Sequence, residues 1–559
     1  MAKDQLYISA YQKSPTVYVV NIETYVILSI FNLEKAEVDL LVVLQNEHPM
    51  QPNLTINFST LKYSITSDIP EVASFAVWPV IVAKQQIIAG LCSVARSLIR
   101  TAKKIDLLGF REACLMACSE SSIWTRFCEI DIIQTTKTFV NNGYFENGKF
   151  SLPVDLAKFE YHMSRPVRIH NVYKVAREKN NKKDIKSSVP VEDLNLEHTF
   201  SEGPFMTLAD AILYQCFRVI LATAPKNISD KIPLSLRWYN QMKTQGLPEL
   251  ETEIQQRQDF LDIVEPSFTK ESLYTSDPSR YRPEKRIYTK QSDIESSMKQ
   301  LSSIKNRISN SLKPYGEEIE FDWSEIPVEA NPVGGKLPEK RAARKFEQLE
   351  NLAKAVVKLA SGKKYRIVDF CSGSGHLGIL IAYLLPACEI ILVENKEQSL
   401  SRAKERIEIL KLSNITIVQS NLDYYKGKFD IGVALHACGV ATDLVIQSCL
   451  QNSAHFVVCP CCYGGVKNCH HLSYPLSDDF KCLDLTYGSY LNFAHAADQT
   501  HDVDNVKTQQ GYFCMDIVDT DRRLYSESCG YEVHLGKLQP TSCTNKNNLL
   551  VGIFKGITD

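Results

Sequence analysis

The sequence predicts a multidomain α/β protein that ends in a doubly wound parallel sheet. Three observations predict it. Short β-rich runs crowd residues 1 to about 85, helical periodicity takes over from about residue 88, and from about residue 361 apolar runs alternate with amphipathic stretches. The chain has 559 residues, of which 44% are hydrophobic and 23% charged. At roughly 150 residues per domain, that length suggests about three or four domains. The composition excludes a wholly disordered chain, a collagen-like fibre and a small disulfide scaffold. Sixty-three basic residues against 65 acidic ones give a formal net charge of −2, so any nucleic-acid contact must use a local patch. The opening MAKDQLYISAYQK lacks the charged-then-apolar pattern of a signal peptide. No apolar run reaches the ~18 residues of a bilayer span, and the best candidate, Ile379 to Val393, is broken by Pro386 and Glu389. The expectation is a cytoplasmic protein without membrane contact.

In chain order, VYVVNIETYVILSIF, VDLLVVL, YSITS and FAVWPVIV read as β-rich and define a first domain over 1–87. The stretches IAGLCSVARSLIRTA and LGFREACLMACSESSIWTRFCEIDII carry apolar residues at three- and four-residue steps and open a helical domain over 88–261. Inside it, KVAREKNNKKDIK (174–186) has six basic and two acidic residues and almost nothing apolar, which reads as a disordered basic insert near 172–195. Helix resumes at PFMTLADAILYQCFRVILATA, where Thr207 and Asp210 have capping-box spacing. Residues 262–335 are polar and rich in proline and serine, and read as a linker with one helix around 292–312. The last domain, 336–559, begins with PEKRAARKFEQLENLAKAVVKLA, Pro338 standing in the first turn. Its strands are YRIVDF, EIILVE, NITIVQS, FDIGVAL and HFVVCPC, with KEQSLSRAKERIEILKL as the clearest helix between them. YEVHLGKL and NLLVGIFKG follow with no helix between, which predicts an antiparallel edge.

The strongest motif follows the first of these strands: Asp369-Phe370-Cys371-Ser372-Gly373-Ser374-Gly375-His376-Leu377-Gly378. It contains GxGxxG, follows a strand and opens a helix, and Glu394 ends the next strand. The glycines let a ligand approach the backbone, and a carboxylate at Glu394 can accept from two ribose hydroxyls. Asp369 stands four residues before Gly373. The pattern D-x-x-x-G-x-G resembles motif I of class I S-adenosylmethionine-dependent methyltransferases, in which the acidic residue contacts the methionine amino end. Asp423, in SNLDYY after the third strand, matches the adenine-contacting position of that family. The resemblance therefore implies S-adenosylmethionine as cofactor, held by Asp369, Gly373, Gly375, Glu394 and Asp423.

The acceptor side is carried by two unusual runs. The fourth strand ends Ala434-Leu435-His436-Ala437-Cys438-Gly439-Val440-Ala441-Thr442-Asp443, and the fifth ends Cys459-Pro460-Cys461-Cys462-Tyr463-Gly464-Gly465. Open parallel sheets bind ligands beyond the carboxyl ends of their strands, so both runs should face the methyl group. His436, Cys438, Cys461 and Tyr463 are the catalytic candidates, His436 as a general base or as a positioning or core histidine. Twelve of the 17 cysteines lie after residue 370. They read as pocket-lining residues, or as a nucleophile at Cys438 or Cys461, or as a zinc site drawn from Cys459, Cys461, Cys462, Cys469 and His470. The last spacing is not a paired C-x2-C knuckle, and no metal site is assigned. The LHACGVATD and CCY runs resemble a methyltransferase subgroup that includes a transfer-RNA 2′-O-methyltransferase.

In the N-terminal half, Trp78-Pro79-Val80 resembles the position where the thioredoxin-like half of glutathione transferases holds a cis proline. Thr207 to Leu213 and Pro233 to Trp238 (PLSLRW) resemble the all-α C-terminal domain of that family. Where those enzymes hold the γ-glutamyl group with an acid and a serine, this chain has Ala89-Gly90, which argues for an interaction module rather than a glutathione transferase. The combination resembles the glutathione S-transferase C-terminal domain-containing family, a degenerate transferase-like region fused to a Rossmann-like methyltransferase domain. The resemblance implies a cytoplasmic protein with a methyltransferase domain of unestablished substrate. RNA, transfer RNA in particular, is the expected acceptor class, and a protein partner is expected on the helical domain. The basic runs at 174–186 and 340–345 (KRAARK) either meet phosphates or are solvated faces. The alternative is a non-catalytic scaffold that keeps the fold.

Overall fold

The computed structural model describes residues 3–556 apart from 34–36, 49–51, 85, 170, 181–184, 255–256, 258, 275–289, 336, 484 and 501–504. The chain divides into two compact units, Met1–Tyr281 and Arg282–Asp559.

In the first unit the strand Asp4–Ser14 is central. It runs parallel to Val38–Leu44 and antiparallel to Val80–Ala83, which turns back into Gln86–Ala89. The helix Ile22–Phe31 crosses between the two parallel strands, and Leu91–Thr101 follows the hairpin. This βαβ–ββα order is thioredoxin-like, and the Trp78–Pro79 bond before the third strand is cis. One local reading is corrected. IETYVILSIF, taken with the β-rich runs, is helical, started by Asn21 accepting from the Thr24 amide at 2.8 Å. Its residues from Tyr25 to Ile30 are all buried, so the sequence shows neither a two- nor a 3.6-residue period.

Helices follow, notably Leu208–Thr223 and Pro233–Lys243. The capping box forms: Asp210 accepts from the Thr207 amide at 2.8 Å. Its other oxygen accepts from the Ser201 amide at 2.7 Å and the Trp238 indole at 2.8 Å. One buried carboxylate thus ties both segments that carried the resemblance. The basic insert differs from its sequence reading. Val172–Asn180 is a helix, and Val172, Ala176 and Leu194 bury against Val167, a small apolar cluster that a charge count hides. Residues 181–184 of the insert lie outside the described residues.

The second unit holds a seven-stranded sheet: β1 (Arg366–Phe370), β2 (Glu389–Glu394), β3 (Ile415–Gln419), β4 (Ile431–Cys438), β5 (His455–Cys461), β6 (Tyr531–Lys537) and β7 (Asn548–Phe554). The order is β3-β2-β1-β4-β5-β7-β6. The first five are mutually parallel, and β7 pairs antiparallel with β5 and with β6. The principal helices among the described residues are α1 (Glu339–Ala360), α2 (His376–Leu384), α3 (Glu397–Leu410), α4 (Val440–Asn452), α5 (Tyr487–Ala497) and α6 (Val506–Ser528). Side chains of α1, α2 and α3 bury with Ile367, Leu392 and Val433 of the strands, while α4, α5 and α6 build a second core. Of the stretch read as linker, 275–289 lies outside the described residues. Beyond it the helix Gln291–Lys299 buries Ile294 in the second core, and Ile326 and Ala330 join the first.

A salt-bridge network locks the second core. Arg522, 1% exposed, donates to Asp443 at 2.7 and 2.8 Å and to Asp519 at 2.8 Å. Tyr474 donates to Asp443 and Tyr463 to Asp519, each at 2.6 Å.

Candidate functional site

Strand β1 ends at the glycine loop, and the loop closes on two carboxylates. Asp369, buried at the strand end, accepts from the Gly378 amide of α2 at 2.8 Å. Glu394, at the end of β2, accepts from Gly373 and Lys396 amides, both at 2.9 Å. Gly373 has φ +57° and Gly375, the N-cap of α2, has φ +71°, the left-handed region where a side chain is strained. A Cβ at Gly378 would stand 2.2 Å from Leu392 and 3.0 Å from Asp369, so helix and strand touch only because this residue is glycine. Arg406 of α3 braces the loop from behind, donating to the Ser374 carbonyl at 3.2 Å and lying 3.3 Å from His376 Nδ1.

A cavity of about 660 Å³ opens over this loop. Asp369, Gly373 and His436 line it, together with Arg341, Arg344, Lys345 and Gln348 from α1 and Lys546 from the β6–β7 connection. Burial pushes the Asp369 carboxyl up to about 7; the Gly378 amide and Lys345 oppose this rise and Glu394 adds to it. Burial also lowers Lys345. His436 Nε2 lies 2.9 Å from Gln348 Oε1, while Gln348 Nε2 donates to the Cys543 carbonyl at 2.9 Å. The chain of bonds fixes the tautomer: Nε2 carries the proton and Nδ1 is the acceptor. Burial, then Lys345, lowers His436 to about 4, so the ring is neutral at pH 7.

The cavity fits a sulfonium nucleoside with an amino-acid tail. A Cβ on Gly373 would meet nothing within 4 Å, which leaves space beside the loop backbone. A buried carboxylate and a lysine among the lining residues offer partners for an ammonium and a carboxylate.

The other expected residues are placed differently. Gly375 and Glu394 shape the loop without lining the cavity. Asp423 stands apart from it, 3.8 Å from His470 Nε2 and 3.5 Å from His471 Nε2. Burial would raise its carboxyl, but the hydrogen bonds from these histidines hold it well below the ordinary range. Tyr463 is a correction: it is 0% exposed, and its hydroxyl is spent on Asp519 inside the second core. Lys345 and Gln348 were missed as site residues. Lys345 was visible only as part of a basic run, and nothing local marks Gln348.

Cys438 and Cys461 pair across β4 and β5, their sulfurs 3.4 Å apart, and the Cys462 sulfur lies 3.3 Å from that of Cys438. Thiol hydrogen bonds from Cys461 and Cys462 hold Cys438 well below the usual thiol range, while those with Cys438 and Cys462 push Cys461 up. Cys459, in the spacing considered for zinc, points elsewhere, its sulfur 3.5 Å from the Lys546 carbonyl.

Strand order and glycine loop define a Rossmann-like class I methyltransferase fold. Residues 344–469 match the family described as "Methyltransferase domain". The chain is 43% identical over 497 residues to the glutathione S-transferase C-terminal domain-containing protein homolog of Drosophila pseudoobscura pseudoobscura, covering 84% of this chain and 83% of that one. It is 33% identical over 550 residues to the glutathione S-transferase C-terminal domain-containing protein of Homo sapiens, covering 83% and 84%. The chain belongs to the family of glutathione S-transferase C-terminal domain-containing proteins. Among solved structures, it is similar to a SAM-dependent methyltransferase from Aquifex aeolicus, at 12% identity and a TM-score of 0.24, over 42% of this chain and 98% of that one. Among the described residues, no helix is long and apolar enough to cross a membrane.

Proposed function

We propose that the chain is an S-adenosylmethionine-dependent methyltransferase acting on RNA, with its glutathione-transferase-like region as an interaction module. The observation that carries this reading is the convergence on one cavity of buried Asp369, the open backbone at Gly373, and three cations, Arg341, Arg344 and Lys345. When bound, the cofactor supplies an electrophilic methyl group. Asp369 holds the ammonium of its tail and Lys345 the tail carboxylate, while Glu394 keeps Gly373 in place. Arg341 and Arg344 are exposed at the start of α1 and meet acceptor phosphates. His436 presents Nδ1 to an acceptor hydroxyl, its ring held by Gln348.

The N-terminal half supports a non-conjugating role. Gly90 offers no side chain at the start of Leu91–Thr101, and the Cys92 amide there is taken by the protein's own Glu129 carboxylate at 3.1 Å. The test is transfer of label from methyl-tritiated S-adenosylmethionine to total RNA by the full chain. The reading expects ribonuclease-sensitive counts that Asp369→Ala abolishes. Counts in protein would move the acceptor class, and a folded wild type that binds no cofactor would favour the scaffold.

A further inference from the structure

The three sulfurs of Cys438, Cys461 and Cys462 lie within 4.8 Å of one another. We infer that they form a zinc site with an exchangeable fourth position. Zinc–sulfur bonds of about 2.3 Å in a tetrahedron set sulfur–sulfur separations of about 3.8 Å. The two shorter separations here, 3.3 and 3.4 Å, are within about half an ångström of that value. An all-thiolate set selects a soft ion over magnesium or calcium.

The backbone explains how neighbouring cysteines converge. Along a strand, Cys461 and Cys462 would point to opposite faces. Cys462 instead adopts φ 49°, ψ 52°, the left-handed region, which breaks the alternation. His436, at φ 66°, does the same in β4, where the register with β5 shifts between Leu435 and Cys438. Two non-glycine residues in this conformation, one beside the cluster and one within it, are a cost tolerated at built sites.

The frame is fixed before any ion arrives. The Gly439 amide donates to the Cys461 carbonyl at 3.1 Å, and a Cβ at Gly439 would stand 2.5 Å from the Gly465 backbone. Tyr463 and Gly464 amides donate to the Asp498 carboxylate at 3.0 and 2.8 Å. Lys396 acts electrostatically on Cys438, and Lys546 on Cys461 and Cys462, so cations offset the negative charge that three thiolates leave on a divalent ion. Cys438 and Cys462 are exposed and Cys461 is buried, which gives an entry path and an open side for water or an external thiol.

The full chain, purified with zinc present under a phosphine reductant, tests this. The expectation is one zinc per chain, lost in Cys438→Ser, Cys461→Ser and Cys462→Ser and retained in Cys469→Ser and Cys482→Ser, with unchanged circular dichroism. Cobalt substitution should give sulfur-to-cobalt charge-transfer absorption, and X-ray absorption should count three sulfurs and one lighter atom. Adding a small thiol should shift the cobalt bands. A folded wild type that retains no zinc and gives no charge transfer would overturn the inference. So would zinc kept at full stoichiometry by all three single variants, a four-sulfur shell, or a Cys438–Cys461 disulfide in the zinc-supplied protein.

Discussion

Lowering the pH from 8 to 6 should weaken cofactor binding about tenfold, through one carboxyl group. Asp369 is 2% exposed, and burial raises it to about 7; Lys345 and the Gly378 amide limit the rise and Glu394 reinforces it. Below that pH the group is protonated and neutral, and above it is charged. A ligand ammonium binds the charged form, so the apparent dissociation constant scales with one plus the ratio of protonated to charged carboxyl. That factor is roughly 11 at pH 6 and roughly 1.1 at pH 8, about tenfold or about 1.4 kcal/mol. The assay is calorimetric titration with S-adenosylhomocysteine. Repeating it in buffers of different ionisation enthalpy should show about half a proton released per site at pH 7. Asp369→Asn should bind more weakly, and its residual slope subtracts any titration of the ligand itself. A wild-type affinity that is flat from pH 6 to 8, or a slope unchanged in the variant, would exclude Asp369 as the titrating group.

Three further outcomes follow from named contacts. Arg522→Met leaves Asp443 and Asp519, both with side chains 0% exposed, without their cation; it should cost about 3–5 kcal/mol and lower the melting temperature by roughly 10 °C in a calorimetric scan. Gly378→Ala forces a methyl to within 2.2 Å of Leu392 in a packed layer, and should cost about 1–3 kcal/mol of stability in urea unfolding. Replacing Arg341 and Arg344 together by alanine should reduce the slope of log affinity against log salt for single-stranded RNA by about 1.4, which filter binding across a salt series measures.

The C-terminal sheet was legible because its signals are local. Each strand is a short apolar run, the glycine loop sits at its expected junction, and the missing helix before the last strand announced the antiparallel edge. The helix Ile22–Phe31 was hidden because burial on nearly all sides erases periodicity. The basic insert was misread because Val172, Val175 and Ala176 bury one narrow face of an otherwise charged helix. At the site, Asp369 and Gly373 follow from spacing, but Lys345 and Gln348 reach the cavity from a helix that carries no motif. Tyr463 and the thiol cluster were illegible for a single reason. Left-handed residues at His436 and Cys462 redirect the side chains that follow, and sequence alternation then gives the wrong face.

The cavity over the glycine loop is the proposed cofactor site. It is tested most directly by titrating wild type, Asp369→Ala and Glu394→Ala with S-adenosylhomocysteine at pH 8, each checked for an unchanged melting profile. One micromolar site per chain is expected in the wild type, with its loss in both variants. No binding by the folded wild type, or equal affinity in all three proteins, would contradict it.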